Sequence, residues 1–376
     1  MRIISGIIMG RRIEYIDGLK GLCGIWVCLY HYIVAFFPAG FIGWGSGIAD
    51  SEKCAAYFGN FPVSIVKNAS FPLYVFFALV AFIPALNYFR SGSDAGIRRQ
   101  AVKRYFRLMP PVLACALFGY AVWASGGMFN RELAADVACN WDRAFYTADL
   151  SLAGALFNGV FDAFWTGNSD YCSVLWCLNV IFFGSYLSYA VLLMFGQLRS
   201  RWAVYAVLFC LSYMFPQYAA FVAGIAAADL VANGAALKPR GLFGACLVAL
   251  GIFAGNFPPV LMPNLQSVYM SFGAASMLVI WGCAESGAAR RILSAGWLRT
   301  AGRLSFSLVL VHFTVLMSLS AWLFHASLGA GFPFWAAIAL SWGLSLPVIA
   351  ALSWLFEKFI ERPSERFANR VLRFLS

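Results

Sequence analysis

Apolar runs of membrane-spanning length recur along almost the whole of this chain, and they leave little freedom in how it can fold. A spanning helix needs about 20 mostly apolar residues. Such runs predict spans at 18–38, 70–89, 108–128, 172–196, 202–216, 218–234, 241–256, 267–284, 304–324 and 333–356. The composition agrees, with 62% of the 376 residues hydrophobic and 11% charged. A soluble domain is about half apolar and a quarter charged, so the excess here must face lipid. The expected fold class is all-α: a polytopic transmembrane helix bundle of about ten spans. Residues 1–376 form one membrane-embedded domain, with no stretch left for a separate soluble one.

Charge placement tests the alternation of the spans. There are 27 Lys and Arg against 16 Asp and Glu, a formal +11. Of the 27, 22 fall in one alternating set of connections. That set runs from Arg2, Arg11 and Arg12, through the cluster Arg90 to Arg107, to Arg362, Arg366, Arg370 and Arg373. The opposite set holds only Lys53, Lys67, Arg131 and Arg143, and Lys20 stands at the edge of the first span. Basic residues stay on the cytosolic side, which places both termini in the cytosol and makes the span number even. Charge in clusters between apolar runs encodes topology, so nucleic acid is not an expected partner.

Of the ten cysteines, seven sit inside apolar runs, where Cys behaves as a small hydrophobe. Cys54, Cys139 and Cys172 fall in predicted outer loops, where a disulfide stays open. No CxxC or Cys/His ligand spacing occurs, so no metal is expected. Ahead of the first span, Arg2 and Arg11–Arg12 bracket a run too short to cross a membrane and followed by no cleavage site. This reads as a cytosolic tail, and initiation at Met9 is equally compatible with the first span. Two outer connections are long, 39–69 and 129–171. The second carries Asp136, Asp142, Asp149, Asp162 and Asp170 among its charges. It reads either as a solvated or interfacial loop or as a lid over an acceptor site on the outer face.

Histidine is scarce: His31, His312 and His325. An ionisable group inside a bilayer is costly and marks a functional hypothesis. His31 lies eleven residues beyond Lys20, about three helical turns, so both project from one helix face about 16 Å apart along the axis. A cation at the cytosolic edge and an imidazole within the membrane suit a two-ended cofactor with an anionic head. The pair also reads as a snorkelling lysine and a histidine bonded to a neighbouring helix. Asp17 suits a helix N-terminus and equally a role in orienting a catalytic group. In RRQAVKRYFRLMPP, Arg104 and Arg107 are one turn apart, and Pro110–Pro111 is expected to set the start of the third span. So dense a cluster serves topology and also matches phosphate oxygens.

These residues form a recognisable series. IDGLKGLCGIWVCLYH resembles the opening helix of the acyltransferase 3 family, whose signature of Arg or Lys, ten residues, then His is met by Lys20 and His31. KRYFRLMPP is similar to its Arg-x-x-Arg motif ahead of proline, at Arg104, Arg107 and Pro110. Leu175–Trp176 resembles its Leu-Trp segment, GRLSFSLVLVH its late helix ending at His312, and Glu361-Arg362-Pro363 its closing Glu-x-Pro. The resemblance covers essentially the whole chain in order. Two departures stand out: Ile181 where the tryptophan segment usually continues to glutamate, and Phe306 and Val309 in place of the late helix's tyrosines.

The resemblance implies an integral membrane enzyme, in the plasma (inner) membrane of a bacterium. It would move an acyl group, acetyl first among them, from cytosolic acyl-CoA to a hydroxyl of an extracytoplasmic carbohydrate. Lys20, Arg104 and Arg107 would hold the CoA phosphates. His31 would act as general base or transient acyl carrier, with Asp17 as helper. Trp176, His312 and Glu361 would meet substrate or support the residues that do. Acyl-CoA donor, carbohydrate acceptor and lipid bilayer are the implied partners. Two rival readings are a transporter or flippase of a lipid-linked glycan and a non-catalytic membrane partner. The chain lacks the internal repeat of many transporters, and Asp229, the clearest other acid in a span, reads as snorkelling or paired near a cytosolic end.

Overall fold

The computed structural model describes residues 13–37, 68–138, 141–233, 241–256, 262 and 264–375. The N-terminal tail with Met9, nearly all of connection 39–69 with Lys53, Cys54 and Lys67, and Cys139, Lys238 and Arg240 lie outside them. The described residues contain helices and no strand. Every predicted span carries a helix: α1 (Glu14–Phe36), α2 (Ser70–Ser91), α3 (Ala95–Ala124), α4 (Trp176–Phe195) and α5 (Arg201–Leu211). After these come α6 (Gln217–Asn233), α7 (Gly241–Gly255), α8 (Leu265–Glu285), α9 (Gly296–Val315) and α10 (Phe334–Phe356). Seven helices among the described residues are long and apolar enough to cross a membrane. The other three, α5, α6 and α7, have 11, 17 and 15 residues. At 1.5 Å per residue the longest of these reaches about 25 Å, short of a hydrocarbon core of about 30 Å.

The sequence marks many helix ends. Asn264 caps α8 by accepting from the Ser267 amide, and Pro333 opens α10. Gly126, at a φ of +72°, closes off α3 in the left-handed region that glycine enters at little cost. Pro110–Pro111 does not start a helix: α3 begins 15 residues earlier, at Ala95, and runs through both prolines. In a membrane helix neighbouring groups can satisfy the backbone atoms that proline frees. The basic cluster Arg98 to Arg107 therefore lies on α3 itself rather than in a connection.

The chain divides into two compact units, each assembled from three segments. The first comprises residues 1–24, 70–102 and 180–303. Its helices approach closely at small residues: a Cβ on Gly224 would meet the Ala78 carbonyl, and one on Gly302 the Asp17 carbonyl. Its deeply buried acid, Asp229, is held by Arg201 Nε at 2.5 Å and Nη2 at 2.9 Å, by Asn233 at 2.6 Å and by Tyr205 at 3.4 Å. Asp229 is thus the paired residue that one of its two readings expected.

The second unit comprises residues 25–69, 103–179 and 304–376. Here connection 129–171 departs from a plain outer loop. Phe129 N–H donates to the Met317 carbonyl (2.9 Å) on the continuation of α9. Past Tyr146, the helical stretch Leu152–Trp165 packs alongside α3. A Cβ on Gly159 would strike Leu113, and Tyr105 O–H donates to the Val160 carbonyl at 2.7 Å. This stretch so reaches the level of Arg104 and Arg107. Cys172, expected in a loop, is a fully buried free thiol, with Thr314 Oγ1 3.7 Å from its sulfur. The last helix, Arg362–Leu375, docks on α3 through Lys103 Nζ to Asn369 Oδ1 (2.9 Å) and the Phe106–Phe367 ring contact.

Candidate functional site

The second unit brings together two histidines that lie 281 residues apart in sequence. His31, five residues before the end of α1, places Nδ1 3.0 Å from Nε2 of His312 on α9. His312 Nδ1 in turn lies 3.0 Å from the Leu308 carbonyl, one turn back on its own helix. A carbonyl can only accept, which assigns the hydrogen of His312 to Nδ1. A neutral His312 then offers a lone pair at Nε2, and His31 Nδ1–H donates to it. The lone pair of a neutral His31 is left on Nε2, where it can take a proton from a hydroxyl. His312 is 0% exposed, whereas His31 keeps part of its surface accessible. His31 is thus the more accessible ring of the pair, and its free lone pair lies on Nε2, while His312 is engaged at both nitrogens.

Aromatic rings wall this pair. Trp141 lies nearly parallel to the His31 ring, 6.5 Å between centroids and 22° between planes. Phe313 meets His31 edge-on at 5.5 Å, and Phe145 packs on both Trp141 (4.9 Å) and Phe313 (4.8 Å). Trp141 and Phe145 come from connection 129–171, so part of that connection packs over the histidine pair rather than standing clear in solvent. The turn that carries them is pinned by the buried Asn130, whose Nδ2 donates to the carbonyls of Asp142 (2.9 Å) and Phe145 (3.0 Å). Tyr146 and Thr314 hydroxyls, 3.3 Å apart, tie its far end to α9. Asp142 itself, read as one more loop charge, is 0% exposed. Burial pushes its carboxyl well above the usual carboxylate range.

The other expected site residues are more dispersed. Lys20 and Asp17, in the first unit, are ion-paired at 2.6 Å on α1 and half-buried. Asp17 is thereby engaged with Lys20, fourteen residues ahead of His31 on the same helix. Arg104 is half-buried and Arg107 exposed on α3. Trp176 opens α4 with its side chain exposed. Glu361 accepts a hydrogen bond from the buried Ser307 Oγ (2.8 Å), five residues before His312 on α9, and so tethers that helix to the continuation of α10. Ile181 is buried in the body of α4. No cluster of metal-ligating side chains occurs among the described residues. Sequence reasoning misses Trp141, Phe145, Phe313 and Asp142; the adjacency of indole and carboxylate in a long connection is the one available signal.

Helices of membrane-crossing length and apolar composition define a helical integral membrane protein. The chain belongs to the acyltransferase 3 family, whose acyltransferase domain model matches residues 13–354. Lys20, His31, Arg104, Arg107, Trp176 and His312 lie inside the match, and Glu361 lies just beyond it. No curated protein and no solved structure matches the chain.

Proposed function

We propose that this membrane acyltransferase moves an acyl group, acetyl first among them, from cytosolic acyl-CoA to a hydroxyl of an extracytoplasmic carbohydrate. The observation that carries the reading is the directed relay from the Leu308 carbonyl through His312 to His31. In the reaction, His31 Nε2 takes the acceptor's hydroxyl proton as its oxygen attacks the thioester carbonyl. The tetrahedral intermediate collapses with loss of the C–S bond, and the CoA thiolate takes the proton back from the imidazolium. His312 Nε2 accepts from His31 Nδ1–H throughout and stabilises the cation.

Lys20, Arg104 and Arg107 serve the CoA phosphates, whose oxygens match their donors. For Lys20 this means sharing its ammonium with Asp17, which holds it in place. The protein has ten spans with both termini in the cytosol of a bacterial cell, and α5, α6 and α7 are the spans that fall short of full bilayer thickness. The charge asymmetry of the connections supports that orientation.

The test is His31→Ala, incubated in purified form with radiolabelled acetyl-CoA and carbohydrate acceptors. Transfer should fall to background while the variant inserts and purifies as the parent does. Full transfer by that variant would sink the proposal.

A further inference from the structure

Only the π-helical turn Glu357–Glu361 separates the last helix, Arg362–Leu375, from the end of α10. At about 100° per residue, an α-helix sets Arg362, Arg366, Arg370 and Arg373 within an arc of about 80°. The one acid of this helix, Glu365, lies about 60° outside that arc. All four arginines are exposed. Arg362 is held by Glu357 at 2.7 Å, and no ion pair among the described residues includes the other three. The helix meets the protein on other sides. Ser364 and Ala368 are buried, Asn369 receives Lys103, and Phe367 rests on Phe106. Phe374, about 40° beyond the arginine arc, is 89% exposed. Positive charge beside a span orients it whatever its azimuth. Charge gathered on one exposed face, with an apolar ring along its edge, suits contact with a lipid surface.

We propose that this arginine face binds the anionic phospholipid headgroups of the leaflet that α10 adjoins. Guanidinium forks take the phosphodiester oxygens, while Phe374 lies against the first acyl methylenes. Position favours lipid over a soluble anion. Glu357 and Lys358 are the first charges after the apolar run of α10. The Lys358 ammonium stands 4.7 Å over the ring of Trp354, a residue type that collects at headgroup level. At 1.5 Å per residue, Arg362 follows Phe356 by only about 9 Å. The stripe therefore starts where the headgroup layer does.

The experiment titrates the delipidated full chain in neutral detergent, with phosphatidylglycerol and phosphatidylcholine as probes and native mass spectrometry as readout. A basic residue at an anionic surface contributes about fivefold to affinity. Arg366→Gln/Arg370→Gln/Arg373→Gln should therefore weaken phosphatidylglycerol about 100-fold and leave phosphatidylcholine unchanged. Phe374→Ser should weaken both lipids. Arg98→Gln/Arg99→Gln/Arg291→Gln removes the same charge at other exposed positions and should leave both affinities near the parent's. Every substituted residue is exposed, so the thermal midpoints should match the parent's. An unchanged phosphatidylglycerol affinity in the first variant overturns the inference, as does an equal loss in the control. Displacement of the lipid by an equal concentration of glycerophosphoglycerol, the same headgroup without chains, would overturn it in favour of a free-anion site.

Discussion

His31 Nδ1 and His312 Nε2 are 3.0 Å apart, and the Leu308 carbonyl behind His312 gives that contact its direction. In the proposed mechanism His312 takes the part that a carboxylate plays behind the histidine of a hydrolase triad, with a neutral ring in place of an anion. Truncating it should leave His31 free to rotate and to take the wrong tautomer. His312→Ala is expected to lower kcat about 100-fold or more, within the usual range for acid–base assistance. The KM for acetyl-CoA should move little. His312→Gln keeps an acceptor in reach of His31 Nδ1–H and should recover part of the loss, as steady-state acetyl transfer would measure.

Lys20 shares α1 with His31 and is held by Asp17 at 2.6 Å. If it serves the CoA phosphates, Lys20→Ala should raise the KM for acetyl-CoA about 10-fold, the loss of one charge-assisted hydrogen bond. Lys20→Arg should stay near the parent. An unchanged donor KM in Lys20→Ala would remove this anchor from the mechanism.

Asp142 offers a pH test. Burial raises its carboxyl in the folded protein, while the unfolded chain titrates near the ordinary value of about 3.9. Below that value both states hold the proton. Above it the unfolded state releases the proton first, so stability declines as pH rises through the interval up to the raised value. Asparagine carries no such proton. The thermal midpoint of Asp142→Asn should therefore gain on the parent's as pH rises from about 4.5 to 8, and calorimetry over that range would reveal a parallel pair of curves if the carboxyl were ordinary.

Gly302 and Gly287 make a matched pair. A Cβ at Gly302 meets the Asp17 backbone, which cannot swing aside as a side chain can, and one at Gly287 meets nothing within 4 Å. Gly302→Ala should cost about 1–3 kcal/mol through overpacking. Gly287→Ala should be neutral or slightly stabilising. Thermal unfolding in detergent distinguishes them.

The spans are legible because the bilayer imposes its length requirement on each apolar run separately. That is why all ten predicted positions carry helix. Their exact reach is not, since α3 continues through Pro110–Pro111 and α5, α6 and α7 stop short. Within the candidate site, Lys20 and His31 are visible from spacing on one helix. The His31–His312 contact is not, because it joins residues 281 apart and depends on how α1 and α9 pack. Asp142 and Cys172 escape for a related reason: a long polar connection looks solvated until it is known to fold back on α3 and α9.

Rotation about a helix axis decides which neighbours α9 and its continuation can hold. Past α9 the chain widens into a π-helical turn at Leu316–Ser320. His312 and Ser320 are eight residues apart, which in an uninterrupted α-helix would put them about 80° out of phase. The wide turn absorbs one extra residue and takes back about 100°, which returns the two side chains almost to a common azimuth. His312 thereby meets His31 while Ser320, at 2.7 Å, meets the hydroxyl of the very next residue, Tyr32. Deleting a single residue from Leu316–Ser320 would spin the downstream half away from α1 and leave only one of these neighbours engaged. The bulge is thus a phase correction, by which one long helix keeps both consecutive residues of another in its grip.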